Sequence, residues 1–285
     1  MPEIKYHYTR KGLTDSDWSV TQDGNEIAVI TVKDDTIIAT PKNCELSEEA
    51  LNAWLTDVGQ GFMDFVNRPE FVVGKLIPWD VLAEGDISSE QQQELIEYCE
   101  QCIKGCCYAL YSEELAEKYT QRALSWLQST DFYIAPASTK YHDNVASGLL
   151  RHTLKVVNNV IMLKAMPQFK NVDTAEATLA AIVHDWCKIN FYEEYLRNVK
   201  NEDSGAWEKV PSYRCKESEY PFGHGVTSLF IAEKIFKLSV EQALAVRWHM
   251  DAHDLSDYES YDLYTAKANY PMVLLLQMAD QLALL

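Results

Sequence analysis

The sequence predicts a mainly α-helical protein in which a small antiparallel β meander precedes a series of helices. Two observations lead to this fold class. Runs of β-branched residues separated by Asp, Gly and Asn are confined to the first forty of the 285 residues. After Pro41, apolar residues recur at helical spacing almost everywhere. A chain of this length is expected to form one or two domains with a sizeable buried core.

The N-terminal half combines the predicted strands with three helix-start signals. The strands are expected at residues 18–21, 26–32 and 36–40. Helix starts follow at Ser47 and Ser112, each succeeded by two glutamates, and at Ser88, which has Gln91 at capping-box spacing. Short polar residues between 129 and 148 then interrupt the pattern. We therefore predict a β-plus-helix domain over residues 1–130, of unknown role, and a helical domain over residues 145–285.

The C-terminal half predicts five helices around one core, with no strand candidates. They cover 149–166, a segment capped by Asp173 that runs through Val183, 226–236, a segment from the Ser239/Gln242 capping box to Met250, and a last helix that begins at Pro271. A polar, charged loop is expected at 190–223. Such a pattern is typical of an all-α bundle.

Charge and cysteine content limit the function classes. The 25 basic and 43 acidic residues give a net charge of −18, which argues against a protein that coats long nucleic acids. The N-terminus lacks a signal-peptide pattern, and no apolar stretch approaches the roughly 18 residues of a membrane span. Seven cysteines, an odd number, indicate reduced thiols. We expect a soluble, cytoplasmic protein that does not contact a membrane.

Histidines and aspartates recur along the C-terminal half, each on or beside a different helix. The His184-Asp185 doublet lies near the end of an apolar helix, where two polar side chains need partners. Imidazole and carboxylate groups suit Zn²⁺, Mn²⁺ or Fe ions, and separate helices of a bundle can aim them at one point. Each residue alone is more simply a structural residue, but their ordered combination indicates a metal site. The candidate ligands are His152, His184, Asp185, His224, His249 and Asp280.

This ordered pattern resembles the HD superfamily of metal-dependent phosphohydrolases, in which a histidine, a His-Asp doublet, often further histidines and a final aspartate follow one another. The matching segments are 149–154 around His152, 183–188 around the doublet and 278–280 around Asp280. Segments 221–225 and 247–250 look like an uncharacterised bacterial branch of HD-domain proteins. The resemblance covers residues 145–285 and implies an all-helical HD-domain bundle.

The resemblance also implies one or two divalent metal ions, namely Mn, Fe, Zn, Ni or Co, with Mg as a further option. His152, His184, Asp185 and Asp280 match the four ligands of a first ion. His224 and His249 match extra histidines that complete a second site in two-metal members, with Asp185 bridging. Some of those members carry paired histidines where this chain has Trp248-His249-Met250. Asp251, His253 and Asp254 follow closely and could substitute, so the number of ions is left open.

Substrate contacts are expected from Lys188 and from the long loop. Lys188 lies four residues after His184, where the family also has a lysine, and its ammonium suits a phosphate oxygen. Asp185 and Lys188 are therefore the candidate catalytic residues, although a lysine there could merely complement the helix dipole. Tyr192, Arg197 and Lys200 are candidate substrate-binding residues. Seven acidic residues share the loop. Both interpretations of the loop, as a lid over the site or as a solvated surface loop, are therefore left open.

Four cysteines in the N-terminal half suggest a separate metal site as one interpretation. Their spacing of i, i+3, i+7 and i+8 places them on one helical stripe, which cannot surround a metal tetrahedrally without an interruption. Gly105 could supply that interruption, but buried small hydrophobic residues are the favoured interpretation. The four are Cys99, Cys102, Cys106 and Cys107.

Together these features predict a metal-dependent phosphohydrolase in which metal-activated water cleaves a phosphate mono- or diester. The expected substrate is a small phosphorylated molecule, with a nucleotide favoured. One alternative is a catalytically weak HD domain that binds a nucleotide or a partner as a sensor. A further alternative is a 3′ exonuclease on single strands, which the −18 charge disfavours. The oligomeric state is left open, with a homo-oligomer among the options.

Overall fold

The structure is a computed structural model of the full chain. It describes residues 7–10, 17–22, 25–33, 36–42, 53–54, 56–60, 73–83, 85, 87–141, 143–201, 205–217, 219–251 and 255–284. The chain divides into two compact units, residues 1–71 and residues 72–285. Within the described residues, no helix combines the length and the apolar character that crossing a membrane requires.

The first unit contains a four-stranded antiparallel sheet. Its strands pair in sequence order and are β1 (His7–Arg10), β2 (Asp17–Gln22), β3 (Asn25–Lys33) and β4 (Thr36–Pro41). The three predicted strands are present, and β1 is an additional one. Val20, Ala28 and Ile30 are fully buried. The helix predicted after Ser47 lies only partly within the described residues, where 53–54 and 56–60 are helical.

The second unit is mainly α-helical, as predicted. Its helices are α1 (Ser89–Leu110), α2 (Glu113–Gln128), α3 (Gly148–Leu163), α4 (Thr174–Val183), α5 (His224–Glu233), α6 (Val240–Trp248), α7 (Asp257–Asn269) and α8 (Pro271–Leu282). The capping boxes predicted at Ser88 and Ser239 form with both reciprocal hydrogen bonds. Helix α7 was not predicted, although Ser256 and Glu259 form the same kind of capping box.

Helix α4 lies at the centre of this unit. Eight of its ten residues are buried, and it packs against α1, α3 and α6. A helix that is apolar on all sides needs such a central position. Helices α1 and α2 share this core, since Leu95 and Leu127 belong to the same buried cluster as Leu150 and Val183. The sequence-based division between 130 and 145 therefore differs from the division into compact units, and as a functional division it stays a prediction.

The segment expected to be a loop at 190–223 contains a β-hairpin, which corrects the prediction of a second half without strands. Strand β5 (Tyr192–Lys200) pairs antiparallel with β6 (Trp207–Cys215). Both strands are largely exposed, so they lack the apolar alternation of a half-buried strand. Cross-strand pairs stabilise them instead, as where Arg214 Nε lies 2.7 Å from Glu193 Oε1.

Candidate metal centre

Three separate elements bring the first four histidine and aspartate side chains to one point. Helix α3 supplies His152, and α8 supplies Asp280. His184 follows the last residue of α4, and Asp185 leaves the helical conformation with φ of −108° and ψ of 17°. Successive residues of a regular helix point about 100° apart. The break at Asp185 therefore lets both members of the doublet reach the same centre.

The distances define a first group of four donors. His152 Nε2 lies 3.1 Å from Asp280 Oδ1 and 3.4 Å from Asp185 Oδ2. His184 Nε2 lies 3.4 Å from Asp185 Oδ2 and 3.7 Å from Asp280 Oδ1. The two Nε2 atoms are 3.3 Å apart. Two imidazole nitrogens face each other so closely only when one of them carries a proton or a cation lies beside both.

The second carboxylate oxygen of Asp185 faces two further histidines. His224 Nε2 lies 2.6 Å from Asp185 Oδ1, and His249 Nε2 lies 3.5 Å from the same oxygen. Asp185 thus turns Oδ2 toward His152 and His184, and Oδ1 toward His224 and His249. All six residues proposed from the sequence as metal ligands are brought together around this carboxylate.

Close helix packing and two buried amides position these side chains. A Cβ on Gly225 would lie 2.0 Å from Arg247 O, so only glycine allows the approach of α5 to α6 that brings His224 near His249. Asn159 Nδ2 donates to Ala279 O, which ties α3 to α8 beside Asp280. Gln277 Nε2 donates to Trp248 O, which ties α8 to α6 beside His249.

Sequence reasoning missed both amides, although a signal was present. Asn159 lies seven residues after His152 on the same face of α3, and Gln277 lies three residues before Asp280 on the same face of α8. A buried polar side chain at helical spacing from a candidate ligand indicates a positioning role, since it needs a hydrogen-bond partner.

The donor set fits a divalent metal ion. His184 Nδ1 lies 2.6 Å from Ala181 O, and His249 Nδ1 lies 2.7 Å from Val246 O. Backbone carbonyls accept the Nδ1 protons, so both Nε2 atoms are turned toward the centre, as in histidine metal ligands. His249 Nε2 is buried and has no hydrogen-bond partner among the described residues. The ligand atoms of His152, His184 and Asp185, and those of His184, His249 and Asp280, lie within 4.8 Å of one another.

The pKa shifts of the cluster residues show that this centre attracts positive charge. Burial raises the pKa of Asp185, but Lys188 and His184 outweigh burial and hold that pKa well below its usual range. Burial likewise raises the pKa of Asp280, and hydrogen bonds from His152 and His184 reverse the effect and lower it. Burial lowers the pKa of His184, but the Asp185 charge and hydrogen bonds to both aspartates raise it to about 10.

The two remaining histidines differ from each other. Burial lowers the pKa of His224, but its hydrogen bonds with Asp185 and Cys187 raise that pKa to about 10. Burial dominates at His249 and leaves its pKa lowered. Carboxylates that favour a proton on His184 and His224 equally favour a metal cation, which competes with the proton for the same lone pair.

Lys188 reaches the centre from the 3₁₀ turn Trp186–Lys188 that follows the doublet. Its Nζ lies 2.7 Å from Asp185 Oδ2, and its side chain is 12% exposed. Burial lowers the pKa of Lys188, but the Asp185 charge outweighs burial and raises it. The ammonium lies on a ligand carboxylate at the edge of a cavity of about 250 Å³, which His152, Asp185, Tyr192, His224 and Asp280 also line.

The candidate substrate-binding residues separate into two groups. Tyr192 lines the cavity beside the cluster, where its hydroxyl donates to Ala137 O over 3.2 Å, and burial raises its pKa to about 12. Arg197 and Lys200 are exposed farther along β5, at roughly 3.3 Å per residue from Tyr192. Arg197 lines a different cavity, so the structure does not bring these two cations to the cluster.

Of the residues proposed as substitutes in a second site, only Asp251 lies within the described residues. His253 and Asp254 lie outside the described residues. Asp251 Oδ1 accepts a hydrogen bond from Lys267 Nζ over 2.6 Å. Cys187, which the sequence analysis did not single out, lies instead with Asp185 and His224, their ligand atoms within 4.8 Å of one another.

Fold and site together define a helical domain whose histidines and aspartates could hold a divalent metal ion. Residues 149–285, nearly half of the chain, match the family model of the HD domain, which supports membership of the HD superfamily. The family consists mostly of hydrolases, and its domains bind divalent metals. A search of the curated proteins found no match, and neither did a search of the solved structures.

Proposed function

We propose that the protein is a metal-dependent phosphohydrolase that cleaves a phosphate mono- or diester of a small molecule, and that its natural substrate is a nucleotide. One observation carries the proposal. Six histidine and aspartate side chains form one buried cluster, and a lysine ammonium lies 2.7 Å from the Asp185 carboxylate at the edge of an open cavity. Metal ligands beside a cation suit the stabilisation of phosphoryl charge.

His152, His184, Asp185 and Asp280 would hold the first ion. When bound, such an ion lowers the pKa of a coordinated water and polarises the phosphoryl oxygens. The chain supplies the remaining parts of the site. Lys188, whose Nζ lies 2.7 Å from Asp185 Oδ2, would donate a hydrogen bond to a phosphate oxygen, and its charge would offset the negative charge that accumulates there during hydrolysis.

Adjoining cavities support a nucleotide as the substrate. A cavity of about 240 Å³ is lined by Lys188, Tyr192 and His224 and also by the aromatic residues Phe191 and Tyr220. Phe191 and Tyr220 also line a larger cavity of about 630 Å³, together with Trp126. This succession leads from the metal cluster to aromatic rings on which a base can stack.

The same cavities weigh against the exonuclease alternative. They have room for one small phosphate ester and its organic group, whereas a single strand needs a positively charged groove that follows its backbone. The net charge of −18 opposes such a polymer as well. The sensor alternative differs from the enzyme only in turnover, so it becomes an outcome of the test.

The described cysteines are free thiols, which supports a reducing, cytoplasmic setting.

The test combines metal analysis with a substrate panel. Protein purified without chelator is analysed for bound metals, stripped, reloaded with Mn²⁺ and assayed on phosphomonoesters and diesters, nucleotides included. We expect hydrolysis only in the loaded protein and none in His152→Ala. Lys170→Ala, on an exposed side chain outside the site, serves as the matched control. Tight nucleotide binding without turnover would establish the sensor, and wild-type protein that binds no divalent metal would overturn the proposal.

A further inference from the structure

Asp185, Cys187 and His224 form a donor group of their own on the Oδ1 side of Asp185, with ligand atoms within 4.8 Å of one another. We propose that this group binds a second divalent ion through the Cys187 thiolate, and that the position therefore selects a thiophilic metal such as Zn²⁺ or Co²⁺. The inference rests on the proposed metal centre, since Asp185 would bridge both ions.

Local structure aims the thiol at His224. The 3₁₀ turn after Asp185 places Cys187 next to α5, where the Cys187 N–H donates to the buried Ser228 Oγ over 3.1 Å. His224 is the first residue of α5, and Gly223 before it has φ of +84°. That backbone conformation, which side chains with a Cβ rarely adopt, turns the chain so that His224 faces the Cys187 turn.

Charge and burial favour a cation at this place. Asp185 is buried, and its Oδ1 lies 2.6 Å from His224 Nε2. The buried His249 Nε2, which has no hydrogen-bond partner among the described residues, lies 3.5 Å from the same oxygen. An unsatisfied buried acceptor beside a carboxylate is costly unless a proton or a metal ion compensates it.

The ligand types distinguish the two positions. The first group offers only imidazole nitrogens and carboxylate oxygens, which suit Mn²⁺ and Fe²⁺ as well as Zn²⁺. The second adds a thiolate, which is a soft ligand and favours a thiophilic ion. The metal–sulfur bond forms as the thiol loses its proton, which passes to solvent through the adjoining cavity that Cys187 lines.

Cobalt titration of the metal-free protein tests this inference directly. A cysteine thiolate bound to Co²⁺ gives a near-ultraviolet charge-transfer absorption that nitrogen and oxygen ligands do not give. We expect wild-type protein to bind two equivalents of Co²⁺ and to develop this absorption. Cys187→Ser should lose the absorption and bind the second equivalent at least about tenfold more weakly, because losing a direct ligand exceeds the cost of losing an outer partner.

Cys215→Ser is the matched control, since Cys215 is an exposed thiol that lines the neighbouring cavity. It should keep the absorption. A measurement on wild-type protein alone guards against misfolding of the variant: Co²⁺ should protect Cys187, identified by mass spectrometry, from alkylation while Cys215 stays reactive. An absorption that persists in Cys187→Ser, or an unprotected Cys187 in the loaded protein, overturns the inference.

The outcomes also separate this inference from the proposed function. One equivalent of Co²⁺ without the charge-transfer absorption, together with metal-dependent hydrolysis, rejects the thiolate site and leaves the hydrolase intact. Wild-type protein that binds no Co²⁺ rejects both. Two equivalents with the absorption but no hydrolysis of any substrate support the thiolate site and leave the domain as a binding protein.

Discussion

The cysteine stripe of α1 and the histidine–aspartate cluster are both buried, yet they have opposite chemical characters. Cys99, Cys102, Cys106 and Cys107 lie close together in the sequence and are buried on one uninterrupted helix. The cluster residues are scattered over more than a hundred positions and converge only in the folded chain. Proximity along a helix therefore produced a packing surface, and convergence from several helices produced a site.

Electrostatics explains the difference. Burial raises the pKa of Cys102 to about 12 and that of Cys107 to about 11. These thiols stay protonated and pack as small hydrophobic groups. In the cluster, neighbours of opposite charge outweigh the effect of burial on the pKa. Lys188 and His184, for example, hold the pKa of Asp185 well below its usual range. Ionised groups survive burial only with such partners, so the shifted pKa values of the cluster make it a candidate for function.

The largest effect is expected from removing the shared carboxylate. Asp185→Ala takes away oxygens that face His152, His184, His224 and Lys188, so it should abolish hydrolysis and bound metal together. Metal analysis and activity assays measure this. Far-ultraviolet circular dichroism should show the helices retained, because the core around α4 is apolar. Activity that survives Asp185→Ala would contradict the assignment of this cluster as the catalytic centre.

Loss of the Lys188 ammonium should have the next largest effect. Lys188→Ala is expected to lower kcat by roughly ten- to a thousandfold with metal content retained, as for the loss of one preorganised donor. Lys188→Arg should restore activity only in part, since a planar guanidinium does not replace a compact ammonium. An effect on KM alone would show that Lys188 only binds substrate, and an effect on thermal stability alone would show a structural role.

Arg197→Ala and Lys200→Ala are the matched comparison on β5. Both remove a cation that the structure places away from the cluster, so kcat should change by about twofold or less. A loss comparable to that of Lys188→Ala would mean that the hairpin closes over the site during the reaction. Steady-state kinetics on all three variants measures the contrast.

Metal affinity should rise with pH across the neutral range. The pKa values of His184 and His224 are raised to about 10 without metal, so both hold protons at neutral pH that an incoming ion must displace. Each displaced proton makes the apparent affinity increase about tenfold per pH unit until the histidines deprotonate near pH 10. Calorimetry in buffers of different ionisation enthalpy counts the released protons. Binding without proton release would show that the histidines are neutral beforehand.

The smallest effect is expected in the cysteine stripe. Cys106→Ala removes one buried sulfur, which should lower the free energy of unfolding by about 1 kcal/mol, as for one buried methylene-sized group. Chemical denaturation measures this change. Metal content and activity should match those of wild-type protein, and a loss of bound metal in Cys106→Ala would mean that the stripe holds metal after all.

Local signals determined much of the fold. The strands of the meander, the capping boxes at Ser88 and Ser239 and the core of α4 follow from turn residues, caps and hydrophobic spacing, all of which act over a few residues. The six candidate ligands were recognisable from residue type and order. Strands β5 and β6 were not, because their stability comes from pairing across the hairpin, as between Arg214 and Glu193.

Tertiary structure alone decided the geometry of the site. Residue type and order made Asp185 and Lys188 candidates, but only the folded chain places the ammonium on the carboxylate and separates Arg197 from the cluster. Cys187 joined His224 because the turn after Asp185 packs against Ser228 of α5, a contact across 41 positions of sequence. The residue type determines the chemistry of a donor, whereas the partners of that donor depend on long-range packing that no local pattern encodes.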